Sequence, residues 1–138
     1  MSRLKVVLLV ALTAAMALVG ATQARADANV SVSFDGHIRG LATYIQDGDW
    51  MRICDRRRDG LPVYIRFSYI KKNGERQTGS HAHTAGVDKL GNAGPEGRRK
   101  GCSYGNHNLG EKRTVWIQAC VGHAGGNLTC SKVQPTRT

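Results

Sequence analysis

Acidic side chains and aromatic rings are both scarce in this chain. Ten Asp and Glu stand against 20 Lys and Arg, and Phe, Trp and Tyr make up only 6% of 138 residues. With Trp50, Phe67 and Trp116 expected to serve packing, too few rings are left for a base-stacking platform. No C-x-x-C pair occurs, so a four-cysteine zinc site is not expected. H-E-x-x-H and the P-loop are missing, which removes the metalloprotease and nucleotide-binding classes those motifs define. Beyond residue 26 no amphipathic helix of useful length can be drawn, which argues against an α or α/β domain.

The one long apolar run lies at the start. Arg3 and Lys5 precede an apolar stretch from Val6 to Ala21, and Ala24-Arg25-Ala26 comes next as a small-x-small cleavage pattern. The run is about 16 residues against the ~20 that a spanning helix needs, so export with cleavage after Ala26 is expected rather than stable membrane insertion. That leaves 112 residues, enough for one domain over 27–138. Eighteen apolar residues go with the signal and 38 remain, about 34% of what is left, a lean supply for a domain of this size. Three cations and no acid are lost, so a net charge of +10 becomes +7.

A small exported domain with a lean core usually relies on covalent links. All four cysteines, Cys54, Cys102, Cys120 and Cys130, fall in the mature part, and three pairings are open. The expected pairs are Cys120–Cys130, closing one hairpin, and Cys54–Cys102, tying a central strand to the far side of a long loop. In the loop-entropy picture these contribute about 3 and about 4 kcal/mol.

Period-2 alternation marks the strands. Val30, Val32 and Phe34 alternate with Ser31 and Ser33, and a β-rich segment from Ile38 to Gln46 carries Gly40, the mark of a bulge. In the stretch Asp47–Gly60, Trp50, Arg52 and Cys54 share one face while Met51 and Ile53 take the other. Asp59-Gly60 reads as a hairpin turn into Val63, Ile65, Phe67 and Tyr69, and Asn73-Gly74 is the strongest hairpin signal. From Glu75 to Gly110 the pattern dissolves into a glycine-rich loop, with Gln77 to His83 as a polar edge strand. Val115, Ile117, Ala119 and Val121 restore the alternation, Leu128 to Val133 reads as a further strand, and the polar tail from Gln134 should fray. The expected fold is all-β: a small antiparallel sandwich of immunoglobulin-like architecture with two disulfides and one long glycine-rich loop.

Three groupings invite chemical readings. His81 and His83 form H-x-H and, on an extended segment, would face the same way, with His107 or His123 as a third metal ligand. No diagnostic spacing supports it, so two exposed histidines and no metal are expected. Asp55 and Asp59 enclose Arg56, Arg57 and Arg58, which would repel calcium, so a turn with solvated arginines is expected there. Those arginines, Lys71–Lys72 and the run Arg98, Arg99, Lys100 would form one patch if the turn and loop lie at the same end of the sheet. Such a patch attracts anionic polymers through forces that weaken with salt. The alternative is a small hydrolase such as a ribonuclease, with Glu75 and His81 or His83 as acid and base.

In the segment GDWMRICDRRRDG and in WIQACV, Trp116 to Val121, the chain resembles small uncharacterised secreted β proteins of actinobacteria. The resemblance implies an exported one-domain β protein with a late cysteine hairpin, and no activity. The triple arginine departs from that pattern towards positive charge. Taken together, the expectation is a monomeric, secreted or cell-wall-associated binding protein without catalysis or cofactor, contacting an anionic extracellular polymer.

Overall fold

A computed structural model describes residues 27–138; the expected signal segment and its cleavage site lie outside the described residues. Nine strands occur in order: β1 (Ala28–Phe34), β2 (His37–Ile45), β3 (Trp50–Asp55), β4 (Val63–Ile70), β5 (Arg76–His83), β6 (Cys102–Asn106), β7 (Thr114–Val121), β8 (Thr129–Cys130) and β9 (Gln134–Arg137). They form two antiparallel sheets. Sheet A runs β1-β2-β3-β6 and sheet B runs β5-β4-β7-β8, with β9 also on β7.

The two sheets share one core because their alternation points inward from both sides. Val32, Ala42, Tyr44, Met51 and Ile53 of sheet A meet Val63, Ile65, Phe67, Val115, Ile117, Ala119 and Val121 of sheet B. Gly40 lies at the crossing point. A Cβ there would come within 3.2 Å of Val32 and Val63, so glycine lets the sheets approach closely. The bulge expected at Gly40 falls one residue earlier: the β1–β2 register steps from Val32↔Gly40 to Ser33↔Ile38, leaving Arg39 unpaired. Arg39 forms ion pairs with Asp59 and Asp35.

Both expected disulfides are present. Each joins directly opposed residues of neighbouring strands, Cys54↔Cys102 across β3–β6 and Cys120↔Cys130 across β7–β8. This departs from the immunoglobulin arrangement, in which the bridge crosses between sheets and a Trp packs on it inside. Here Trp50 and Cys54 share the outward face of sheet A and pack with Ile45, Cys102 and Tyr104 into a second, smaller cluster.

Four sequence expectations need correction. Asp59-Gly60 does not turn a hairpin, because β3 is already flanked by β2 and β6; the segment 56–62 carries the chain across to sheet B. Strand β6 arises inside the span read as loop, and the segment before it folds back along β6. There Gly91 N donates to Cys102 O at 3.1 Å and Tyr104 N to Asn92 O at 3.3 Å, covering the edge of sheet A. The third concerns Leu128 to Val133, where only Thr129–Cys130 is a strand. The tail does not fray: Thr114↔Arg137 to Ile117↔Gln134 pair as β7–β9, and Gln46 Nε2 donates to Arg137 O at 2.6 Å.

Candidate functional site

Two of the three basic clusters come together because of strand direction. β3 and β6 are antiparallel with Cys54 opposite Cys102, so the residues after Asp55 emerge beside those before Gly101. Asp55 N donates to Gly101 O at 2.7 Å, and Arg56 N to Arg39 O at 2.9 Å. Gly101 is required in this turn: its φ is +73°, and a Cβ would stand 2.8 Å from Val87 O and 3.1 Å from Asp55 O. Arg56–Arg58 and Arg98–Lys100 therefore flank the Cys54–Cys102 bridge at one end of sheet A. Lys71 and Lys72 come just after the last residue of β4, which starts at this basic end, so they lie at the opposite end. There Lys71 pairs with Glu75 at 3.1 Å.

Within the basic end the cations divide. Arg58 holds Asp88 at 2.8 Å and Arg99 holds Glu96 at 3.1 Å. Glu96 also takes Arg52 at 2.7 Å and the Tyr104 hydroxyl at 2.9 Å. These donors, the tyrosine first, hold its carboxyl below the usual carboxylate range. Arg56, Arg57, Arg98 and Lys100 are exposed and form no ion pair among the described residues. Asp55, buried at the root of the cluster, accepts the Arg57 amide at 2.9 Å. Burial pushes its carboxyl up, against the opposing pull of that amide.

His81, His83 and His107 are not free surface groups. In β5, His81 and His83 stand opposite Ile65 and Val63, so both imidazoles face the core. His83 is fully buried, with Nε2 at 2.8 Å from Gly86 O. His81 Nε2 meets Ser103 Oγ at 2.9 Å, linking β5 of sheet B to β6 of sheet A. His107 lays its ring on Phe67, centroids 4.5 Å apart, and lies edge-on to His81 at 6.4 Å. Its Nε2 is buried without a partner. Burial lowers the pKa of both His81 and His107, and their mutual repulsion adds to the effect at His81. His123 is exposed in the β7–β8 connection, apart from the others. Among the described residues no three metal-binding side chains converge.

The pair proposed for acid–base chemistry is not assembled. Glu75 sits in the turn before β5, bound to Lys71 and Asn73, interactions that hold its carboxyl below the ordinary value. His81 and His83 lie six and eight residues further along an extended strand, about 20 Å or more away.

No family model, curated protein or solved structure matches this chain. Its function is therefore read from geometry.

Two features escaped the sequence reading. Trp116, expected in the packing, lies half-exposed on the outer face of sheet B with the Arg76 guanidinium 4.7 Å from its ring centroid. It borders a shallow polar hollow with Arg66, Ser68, Thr78, Ser80 and Gln118. The other is the polar row Asn29–Thr43–Arg52–Glu96, which crosses the outer face of sheet A. Strict alternation places Thr43 and Arg52 opposite one another, a signal available from sequence only once the register is known.

Proposed function

We propose that this protein is a secreted, non-catalytic binding protein that holds anionic extracellular polymer at the basic end of sheet A. One observation carries the reading: Arg56, Arg57, Arg98 and Lys100, from positions 41 or more residues apart, are set on both sides of one disulfide and form no ion pair among the described residues. Arginine presents a rigid fork suited to carboxylate, sulfate or phosphate, and clustered cations raise the local concentration of a polyanion. The two disulfides fit an oxidising compartment outside the cell.

The test is retention on immobilised dextran sulfate. Retention should fall as salt rises from low to physiological strength. Replacing Arg56, Arg57, Arg98 and Lys100 together by Gln should reduce affinity at least about tenfold, the worth of ~1.4 kcal/mol. Replacing Lys71 and Lys72 by Gln, at the opposite end, should change it little. Equal loss from both variants would reduce the effect to net charge alone. A band of RNA cleavage that disappears on His81→Ala would favour the hydrolase alternative instead.

A further inference from the structure

We infer that the basic end also holds a small-molecule site, a cleft for a single-chain anionic amphiphile whose acyl tail lies on Ile38 and Leu41 and whose anionic head meets Arg56 and Arg57. Within this inference the reading above supplies only the availability of those two arginines. The cleft is open to solvent and holds about 500 Å³, lined by Ser31, Gly36, His37, Ile38, Leu41 and the two arginines. That volume lies in the range of about 300–1,000 Å³ typical of small-molecule sites.

Its apolar floor is a consequence of the bulge. In a regular β2, Ile38 would share the inward face of Gly40 and Ala42 and join the core. The unpaired Arg39 shifts the alternation by one, so that Ile38 pairs with Ser33 and turns outward. One exposed isoleucine is ordinary in itself. Here a built irregularity places it, 53% exposed, beside Leu41. Exposed apolar surface flanked by free guanidiniums is the complement of an amphiphile with a negative head. Two acids of the adjoining segments, Asp35 and Asp59, are paired with Arg39 and not with Arg56 or Arg57. Asp55 directs Oδ1 to the Arg57 amide.

Calorimetric titration of the full mature protein with acetate, hexanoate, decanoate and 1-decanol, each kept below its micellar range, tests this. Decanoate should bind, with affinity rising up to about fourfold per methylene where the tail is buried. Acetate and decanol, each missing one half of the chemistry, should bind at least about tenfold more weakly. Ile38→Ser, an exposed change, should abolish the chain-length dependence while leaving retention on dextran sulfate intact. Arg56→Gln with Arg57→Gln should weaken decanoate binding about tenfold. Decanoate binding no tighter than acetate, or unaltered by Ile38→Ser, overturns the inference. Binding to anionic phospholipid vesicles without binding of monomeric decanoate also overturns it, in favour of a membrane-docking end. Polymer retention without decanoate binding defeats this inference alone, whereas absence of both defeats the polymer reading as well.

Discussion

His81 and His107 are the side chains whose chemistry depends most on their surroundings. Both are packed where β5 and β6 meet. A Cβ on Gly105 would lie 2.8 Å from His81 Nδ1 and 3.0 Å from His107 Nε2. Glycine at 105 therefore leaves just enough room for the two rings. Burial disfavours the imidazolium, so each folded-state pKa lies below the unfolded value of about 6.5. As pH falls from about 6.5 towards the folded-state values, the unfolded chain takes up protons that the folded one refuses. The stability present above that window is lost within it. Urea midpoints at pH 7.5 and 5.5 should show this fall, and His107→Phe, which removes one of the two titrations and the buried unpaired nitrogen, should flatten it. An equal slope in both proteins would remove His107 from the account. Asp55 acts with the opposite sign, because burial raises its pKa and makes the charged carboxyl a cost above its titration range. None of this could be read from sequence, where H-x-H on a polar strand looked solvent-facing. Which face a strand turns inward depends on its partner, and β5 has Ile65 and Val63 opposite its histidines.

Elements with clean alternation and long apolar faces were legible: β1, β3, β4 and β7 all appear where the period-2 pattern set them. Strand β6 was not, because Cys102–Asn106 contains a glycine and only one large apolar ring, Tyr104. Its extended form is imposed by pairing with β3 and by the bridge, neither of which is local. Of the site, the two runs of cations were visible as sequence, but their meeting required the β3–β6 register. The bulge at Arg39 that exposes Ile38 had only Gly40 as a hint. Glycine in a strand likewise changes meaning in context. Gly79 in edge strand β5 looks like a weak point that a residue of higher β-propensity would repair. The ring of Phe67 lies across it, however, and a Cβ would stand 2.2 Å from Cζ. Gly79→Ala should therefore destabilise by about 1–3 kcal/mol through overpacking. Adding Phe67→Leu should recover part of the loss in a double-mutant cycle of urea melts. Independent, additive effects would contradict the contact.

At the scale of the whole molecule, the two disulfides occupy equivalent positions in different sheets and should nevertheless behave differently. Neither crosses between the sheets, so the sheet–sheet interface is held by the apolar core, while the bridges fix edge strands to central ones. Cys120–Cys130 spans 10 positions and secures the short β8, whereas Cys54–Cys102 spans 48 and fastens β6 together with the basic segment before it. Loop entropy assigns about 3 kcal/mol to the shorter bridge and about 4 to the longer. Function separates them more sharply than stability. Cys120→Ala with Cys130→Ala should lower the urea midpoint yet leave dextran sulfate retention unchanged wherever the protein is still folded. Cys54→Ala with Cys102→Ala should cost more stability and also weaken retention, because Arg98 and Lys100 are held beside Arg56 and Arg57 through the residues next to that bridge. If the second variant, still folded, kept full retention, backbone pairing of β3 with β6 would suffice to set the cations, and the bridge would serve stability alone.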